Sequence, residues 1–319
     1  MYMAPHMGSA GHRDVQHQDR AVTDSMRGRV CLVTGATSGI GKATAHALAT
    51  KGASVVLVGR DPQKGEATVQ EIREATANEE VELLRANLSS QASIRELADH
   101  FLAEHDRLYV LVNCAGGFFR DCHVTIDGLE MTFALNHLAY FLLTTLLLDL
   151  LQGSAPARVV NVTSGAQSMG RIDFEDLQGE REHRGQRAYN QSKLANVLFT
   201  YELARRLDGT GVSVNCAHPG WVRTNFGQRN QPLAWRLMIA VVAPFMRSPE
   251  KGAETVVYLA SDPDIETVMG KYLHDLKPKR SSKALVRRGS GRATLAGERG
   301  AHGSASDRLA GAGLDRFAR

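Results

Sequence analysis

The stretch "RVCLVTGATSGIGKATA", residues 29 to 45, decides the fold. An apolar run with β-branched residues leads into a turn with Gly35, Gly39 and Gly41, and a helical pattern follows. Glycines at a helix opening let backbone N–H groups approach a pyrophosphate. The spacing G-x-x-x-G-x-G differs from the common G-x-G-x-x-G, and a glycine triplet alone is a weak signal because many turns use glycine. The strand–turn–helix context makes the stretch a predicted dinucleotide phosphate site.

The same alternation of apolar runs and helical stretches continues along the chain. The further runs are "SVVLVGR", "VELLRANL", "YVLVNCAG", "RVVNVTS" and "VSVNCAHPG". Strands that are apolar throughout and separated by helices indicate a parallel sheet covered on both faces. The sequence therefore predicts an α/β fold over residues 27–276: a single Rossmann-type, doubly wound parallel sheet with helices on both faces.

The two ends of the chain differ from this body. Residues 1–26 are polar and lack an apolar period, and residues 277–319 are rich in Gly, Ala, Ser and Arg; both are predicted to be disordered. Residues 277–319 hold 11 Lys/Arg against 3 Asp/Glu, a balance of +8, so residues 1–276 carry −4 of the chain's +4. The tail's arginines could bind nucleic acid electrostatically, but no aromatic interleaving accompanies them, so a solvated extension is favoured and no nucleic-acid partner is predicted.

Composition and motifs exclude other classes of protein. The chain has 319 residues, of which 43% are hydrophobic and 23% are charged. These fractions are typical of soluble globular proteins. No uncharged apolar run reaches about 18 residues, and no secretory signal is visible. Residues 138–151 are apolar but contain Asp149, and they indicate a buried helix. Four cysteines that lie far apart without a CxxC pair indicate reduced thiols and a cytoplasmic protein. The sequence has no HExxH motif or His/Cys cluster that would predict a metal site, and no G-x-S-x-G motif that would predict a serine hydrolase.

The end of the second apolar run indicates the cofactor. Gly59 is followed by Arg60, where an acidic residue would bind the ribose hydroxyl of NAD. A guanidinium is suited to a 2′-phosphate, so NADP(H) is the preferred cofactor and NAD(H) the alternative. Lys64 could assist. The competing interpretation is a solvated arginine at a strand end.

The segment "AYNQSKLAN", residues 188–196, places Tyr189 and Lys193 one helical turn apart. Such a pair is often only a solvated surface contact. An unperturbed tyrosine has a pKa of about 10, too high for easy proton exchange at neutral pH. A cation held one turn away is expected to lower that pKa and to make Tyr189 a usable acid–base.

Taken together, the motifs resemble those of the short-chain dehydrogenase/reductase family, in the family's order. The segment "YNQSKLANVLFTYELARRL" is similar to the family's retinol-dehydrogenase-like, WW-domain-oxidoreductase-like branch. The motifs are "TGATSGIG" (34–41), "NCAG" (113–116), Asn136 in "ALNHL", "VVNVTS" ending at Ser164, Tyr189-x-x-x-Lys193, and "HPGWVRT" (218–224).

The resemblance implies an NADP(H)-dependent oxidoreductase that interconverts an alcohol and a carbonyl. Tyr189 would be the acid–base, Lys193 would bind the nicotinamide ribose, and Ser164 would polarise the substrate oxygen. Asn136 would hold a water that links Lys193 to solvent. The implied cofactor-binding residues are Thr34, Gly35, Thr37, Ser38, Gly39, Ile40, Gly41, Arg60, Asn87, Leu88, Asn113, Ala115, Gly116, Tyr189, Lys193, Pro219, Gly220, Val222 and Thr224.

Some positions depart from the family pattern or have no implied chemistry. Cys114 stands where the family often has a second asparagine, and Asn87 stands where an aspartate commonly contacts adenine. The basic tail replaces the helix that usually ends the branch. His137 and His218 are expected to be structural residues.

Substrate class, partners and catalysis leave alternatives open. The apolar stretch 233–246 would suit a lid over a hydrophobic aldehyde, ketone or retinoid-like substrate. It could equally pack on the body, or form a subunit or membrane-surface contact. The helices around 131–151 and 188–207 could supply a homodimer contact. The alternative function is a non-catalytic NADP(H)-binding regulatory or scaffold protein on the same fold.

Overall fold

The fold is described from a computed structural model that covers residues 25–223 and 246–281. The predictions for residues 1–24, 224–245 and 282–319 lie outside the described residues. They include Thr224, nearly all of the apolar stretch 233–246 and most of the basic tail.

Eight strands form one sheet, and the first six coincide with the six predicted apolar runs. They are β1 Val30–Thr34, β2 Ser54–Gly59, β3 Val81–Arg85, β4 Val110–Asn113, β5 Ala157–Val162, β6 Val212–His218, β7 Tyr272–His274 and β8 Lys277–Pro278.

Helices connect the strands. They are α1 Gly39–Thr50, α2 Pro62–Thr76, α3 Gln91–Glu104, α4 Met131–Phe133, α5 Ala139–Leu146, α6 Leu148–Gly153, α7 Gly185–Arg206 and α8 Pro249–Ser261. A π-helical turn, Ala134–Leu138, lies between α4 and α5, and a 3₁₀ turn, Gly165–Met169, follows β5. Asp61, Ser90 and Ser248 begin α2, α3 and α8, each accepting a backbone N–H three residues on.

The strand order is β3-β2-β1-β4-β5-β6-β7-β8. All neighbours pair in parallel except β7 and β8, which are antiparallel. The order reverses beside β1, which pairs with both β2 and β4. In open α/β sheets, ligands bind at such a switch point, outside the carboxyl ends of the strands. The predicted doubly wound parallel sheet is confirmed, and it places the glycine turn at this crevice.

Successive residues of the strands face opposite sides of the sheet and enter two separate apolar clusters. Leu32 and Leu111 belong to the cluster that contains Leu97 of α3 and Leu143 of α5. Their neighbours Val33 and Val112 belong to the other cluster, with Leu48 of α1 and Val256 of α8. Both faces are therefore covered, as the continuous apolar character of the strands predicted.

The folded body is slightly longer than predicted at both ends. Met26, assigned to the leader, is only 2% exposed, and its N–H donates to the Lys51 carbonyl at 2.9 Å. Beyond residue 276, β8 extends the sheet, and Tyr201 donates to the Ser281 hydroxyl at 2.9 Å. Strands of three and two residues are too short to show a period, so β7 and β8 gave no sequence signal.

The apolar residues 138–151 form most of α5 and α6, where Leu143, Leu147 and Leu148 are buried, in agreement with the predicted buried helix. Within residues 25–223 and 246–281, no helix combines the length and apolar character that a membrane crossing needs.

Candidate active site

The turn between β1 and α1 depends on its glycines. Gly35 has a φ of 66°, and a Cβ there would lie 2.8 Å from the Ala115 Cα atom. Gly39 has a φ of 54°, and a Cβ on Gly41 would lie 2.4 Å from the Gly35 carbonyl oxygen. A side chain would clash at Gly35 and at Gly41, and Gly39 adopts a left-handed conformation that favours glycine. The turn is therefore packed directly against the loop that follows β4.

The N-terminus of α1 is suited to an anion. Ser38 is the N-cap residue in an extended conformation, but its side chain makes no capping hydrogen bond, and the first turn contains no acidic residue. The first N–H groups of a helix have no partner within the helix and carry the positive end of its dipole. Thr37 packs over β2, since a Cβ on Gly59 would lie 2.5 Å from its Cγ2 atom. The helix start at Ser38, Gly39, Ile40 and Gly41 thus has the features that suit a phosphate, and phosphate binding there stays a prediction.

Two predicted cofactor residues use their side chains within the fold. The Thr34 hydroxyl donates to the Val112 carbonyl at 3.2 Å and accepts from the N–H groups of Cys114 and Ala115 at 2.8 and 3.1 Å. Asn113 is fully buried, and its Nδ2 donates to Thr144 and Asn161. Their side chains therefore hold the ends of β1 and β4. Any contact of these two residues with a cofactor would come from the main chain, and their cofactor role stays a prediction.

Arg60 lies at the carboxyl end of β2 and is exposed. The neighbouring Asp61 carboxylate caps α2, since its Oδ1 atom accepts the Lys64 N–H at 3.1 Å. Among the described residues no carboxylate forms an ion pair with Arg60. A basic side chain therefore stands directly after β2, where an acidic one would bind the ribose of NAD.

Asn87 and Leu88 follow β3. The Asn87 Oδ1 atom accepts from the N–H and the hydroxyl of Ser89 at 3.2 and 2.8 Å, which fixes the turn into α3. Leu88 is 7% exposed and belongs to the apolar core. Its side chain therefore packs in the core, and any cofactor contact would come from its main chain.

The structure brings Ser164, Tyr189 and Lys193 together at the carboxyl ends of β4 and β5. Ser164 follows β5, and its side chain hydrogen-bonds Tyr189, which lies in the first turns of α7. The Lys193 Nζ atom lies 5.9 Å from the centre of the Tyr189 ring and 5.7 Å from that of Tyr140. Tyr189 and Lys193 thus lie on one helix face, as the spacing predicted, and Ser164 lies beside them, as the resemblance implied.

The electrostatics of this group differ from the expectation. Burial raises the pKa of Tyr189, and the hydrogen bond from Ser164 opposes that shift only in part. Burial also lowers the pKa of Lys193 to about 8. The Lys193 ammonium donates to the Val162 carbonyl at 3.2 Å. The expectation that Lys193 lowers the pKa of Tyr189 was therefore wrong for this arrangement: desolvation dominates, and the phenol is neutral at physiological pH.

Asn136 braces the site. It lies on the π-helical turn, where its side chain donates to the Gly117 carbonyl at 3.0 Å and accepts the Gly117 N–H at 2.8 Å. Its Nδ2 also donates to the Ser192 hydroxyl at 3.1 Å, and that hydroxyl donates to the Tyr189 carbonyl at 2.8 Å. A Cβ on Gly116 would lie 3.1 Å from Asn136 and 3.6 Å from the Lys193 Nζ atom. Asn136 therefore ties the loop after β4 to the tyrosine-bearing turn of α7.

The turn after β6 completes the crevice. Gly220 has a φ of 83°, so the residue after Pro219 requires a conformation that favours glycine. Val222 packs on α8, since a Cβ on Gly252 would lie 2.5 Å from Val222 and 3.4 Å from Ile40. Val222 and Ile40 at the start of α1 therefore both lie close to Gly252 of α8.

Sequence reasoning missed several residues that shape the site. Phe118 meets the Tyr189 ring edge-to-face, with centroids 5.8 Å apart. Met169 and Trp221 are exposed on the segments that follow Ser164 and Gly220. Asn196 holds the π-helical turn from α7. Isolated aromatic residues in loops show no period and gave no signal, whereas Asn196 stood within the quoted segment, three residues after Lys193.

Comparison with known proteins identifies the family of the chain. The family model described as short chain dehydrogenase matches residues 29–233. Mouse retinol dehydrogenase 12 is 46% identical over 252 residues, which cover 78% of each chain.

Two solved structures are similar as well. A protein from Mycobacterium paratuberculosis has a TM-score of 0.66 and 32% identity, covering 83% of this chain and 89% of its own. A short chain dehydrogenase from Shigella flexneri, solved in complex with NADP, has a TM-score of 0.62 and 25% identity, covering 78% and 98%. The chain belongs to the short-chain dehydrogenase/reductase family, in its retinol-dehydrogenase-like branch, and is an oxidoreductase that acts on CH–OH groups.

Proposed function

We propose that the protein is an NADP(H)-dependent carbonyl reductase and alcohol dehydrogenase for hydrophobic substrates, with Tyr189 as the acid–base. One observation carries the proposal: a half-buried, neutral Tyr189 hydrogen-bonded to Ser164, with the buried Lys193 beside it. A site that only bound a nucleotide would not need a proton donor next to a second hydroxyl at the switch point of the sheet. No observation favours the non-catalytic scaffold.

In the direction of reduction, Ser164 hydrogen-bonds the carbonyl oxygen of the substrate and the Tyr189 phenol donates its proton to that oxygen. When bound, NADPH supplies the hydride to the carbonyl carbon. The phenolate left on Tyr189 is stabilised by the Lys193 ammonium, which at pH 7 is about nine-tenths protonated with a pKa of about 8. Asn136 holds the turn that carries Tyr189, and the water it would hold for Lys193 remains part of the proposal.

The raised pKa of Tyr189 favours reduction at neutral pH. Reduction needs a phenol that donates a proton, which is the form that burial favours. Oxidation of an alcohol needs the phenolate as a base, so it should require a higher pH. The site is therefore proposed to work chiefly as a reductase.

The residues present fit NADP(H). The start of α1 offers backbone N–H donors without a nearby carboxylate, and Arg60 offers a guanidinium for the 2′-phosphate. The NADP bound to the similar Shigella flexneri protein supports this choice. Lys193 would hold the nicotinamide ribose, and Pro219, Gly220 and Val222 would face the nicotinamide.

A hydrophobic substrate is supported by the walls of the site. Phe118 lies against Tyr189, and Met169 and Trp221 expose apolar surface on the adjoining segments. The similarity to retinol dehydrogenase 12 supports a retinoid-like alcohol or aldehyde. Long-chain aldehydes and cyclic ketones have the same apolar character.

The proposal is tested by measuring NADPH consumption against a panel of short, long and cyclic carbonyls and retinaldehyde. Tyr189→Phe removes the proton donor and should abolish turnover. The matched control is Tyr201→Phe, which removes a hydroxyl from the same helix that contacts Ser281, outside the site. Tyr201→Phe should keep turnover. Equal activity in Tyr189→Phe and in the native protein would refute the assigned role, and tight NADPH binding without reduction of any carbonyl would favour the scaffold.

A homodimer and a cytosolic location remain predictions. The four cysteines are all free, which accords with a reducing compartment. Analytical ultracentrifugation and cell fractionation test the two predictions separately.

A further inference from the structure

His218, the last residue of β6, connects two loops of the site. Its Nδ1 atom lies 3.1 Å from the Gly165 N–H nitrogen and 3.3 Å from the Gly220 N–H nitrogen. Both partners are main-chain donors, so Nδ1 is the acceptor and the imidazole is neutral, with its proton on Nε2.

The two donors belong to opposite sides of the reaction site. Gly165 directly follows Ser164, and Gly220 forms the turn with Pro219 that would face the nicotinamide. We propose that His218 is a positioning residue: its neutral Nδ1 atom holds the Ser164 loop and the Pro219–Gly220 turn at a fixed separation. The kinetic consequences of this inference rest on the proposed function, whereas the two hydrogen bonds to His218 do not depend on it.

The imidazole is closely fitted between these loops. A Cβ on Gly165 would lie 3.0 Å from the His218 Nε2 atom, so a larger residue there would displace the ring. On its other face the ring stacks on His274, with centroids 4.4 Å apart and planes 25° apart. His274 Nδ1 donates to the His218 carbonyl at 3.0 Å. Main chain and side chain of His218 are thus both fixed.

The charged surroundings oppose protonation of His218. Arg247 packs against Gly220, where a Cβ would lie 3.0 Å from its Nε atom, and pairs with Asp275. Burial, His274 and Arg247 together lower the pKa of His218 to about 4, against the opposing effect of Asp275. Tyr272, whose centroid lies 6.2 Å away, adds a neutral stacked ring. The acceptor form therefore persists throughout the neutral range.

The test compares three substitutions of His218 in the full chain. The Oδ1 atom of asparagine stands the same number of bonds from Cα as Nδ1, whereas the oxygen of glutamine stands one bond farther. His218→Asn should keep kcat for carbonyl reduction within about threefold of the native value, and His218→Gln and His218→Leu should lower kcat by about tenfold or more. The KM for NADPH should change less than kcat does, because the phosphate contacts proposed for α1 and Arg60 are untouched and only the Pro219–Gly220 turn is released.

Amide hydrogen exchange at Gly165 and Gly220 is the second readout and needs no turnover. Exchange of both amides should accelerate together in His218→Gln and stay slow in His218→Asn. Equal kcat losses in Asn and Gln, or unchanged exchange of both amides in Gln, would overturn the inference. If the native protein reduced no carbonyl, the proposed function would fail, and the exchange comparison alone would decide the role of His218. The Asn and Gln pair also decides it if His218→Leu does not fold.

Discussion

At the scale of single residues, desolvation sets the pKa values of Tyr189 and Lys193, the proposed catalytic pair. Spacing alone predicted that Tyr189 and Lys193 share a helix face, and the structure agrees. Spacing could not show how far the surrounding protein desolvates the two groups, so the expected direction of the Tyr189 pKa was wrong. Because burial lowers the pKa of Lys193 to about 8, this lysine can lose its charge within the working pH range.

The first prediction concerns that lysine. Reduction should fall as pH rises through about 8, because Lys193 then loses the charge that stabilises the phenolate. Lys193→Arg keeps a cation at all working pH values, so its residual activity should lack this alkaline limb. The measurement is kcat against pH for both proteins. A native profile that stays flat to well above pH 8, or a limb unchanged in Lys193→Arg, would contradict the assignment.

The second prediction concerns cofactor choice. Arg60→Asp should weaken NADPH binding by about ten- to a hundredfold, the loss expected when charge-assisted hydrogen bonds to a phosphate are removed, and should leave NADH binding equal or better. Arg95→Asp, the same charge change on the exposed face of α3, is the control. Fluorescence titration gives both dissociation constants. Equal effects of the two substitutions would reduce Arg60 to a general electrostatic role.

At the scale of elements, a chain of buried amides connects the sheet to the catalytic helix. Asn113 donates to Asn161, Asn161 to Thr200, and Thr200 to the Asn196 carbonyl, at 2.9, 3.0 and 2.8 Å. Asn196 Nδ2 then donates to the Asn136 carbonyl at 2.8 Å. The chain crosses β4, β5, α7 and the π-helical turn, a form of helix that often occurs at functional sites.

The third prediction tests the last link. Asn196→Ala should lower the free energy of unfolding by ~2 kcal/mol or more, because the Asn136 carbonyl and the buried His137 both lose their Asn196 partner. Asn190→Ala on the same helix loses only a contact with the exposed Gln186, so it should cost less. Denaturant unfolding measures both values. A cost for Asn190→Ala that equals or exceeds that of Asn196→Ala would show that the buried amide chain contributes little.

The elements also show what the sequence could and could not predict. Strands β1 to β6 were predictable because each is a continuous apolar run next to a helical pattern. β7 and β8 are too short for any period. The sequence also could not show that the side chains of Thr34 and Asn113 bond within the fold. Their motifs contain polar residues that face the crevice and polar residues that hold the strand ends. Only the pairing of β1 with β4 shows that Thr34 and Asn113 hold the strand ends.

At the scale of the whole molecule, two neutral histidines link folding to pH. Burial lowers the pKa values of His137 and His218 from 6.5 to about 4. Between those values the unfolded chain binds more protons than the folded one, so stability is complete above about pH 6.5 and declines as pH falls toward 4. At about 1.4 kcal/mol for each pH unit, His137 alone would account for ~3 kcal/mol.

The fourth prediction follows from that linkage. The free energy of unfolding should fall steadily between pH 6.5 and 4. His137→Gln should reduce the slope by about half, because one of the two buried histidines no longer titrates. His100→Gln, a substitution of an exposed histidine on α3, should leave the slope unchanged. Denaturant titrations at intervals of pH give the profile. Constant stability across this range in the native protein would contradict the buried, neutral state of both histidines.

The central claim is that Tyr189 donates the proton that accompanies hydride transfer from NADPH to a carbonyl. The most direct measurement is a single turnover with NADPH deuterated at its transferable hydride, followed by mass spectrometry of the alcohol. The account predicts one deuterium at the carbinol carbon with the native protein and with Tyr201→Phe, and none above background with Tyr189→Phe. Deuterated alcohol formed equally well by Tyr189→Phe would contradict the account.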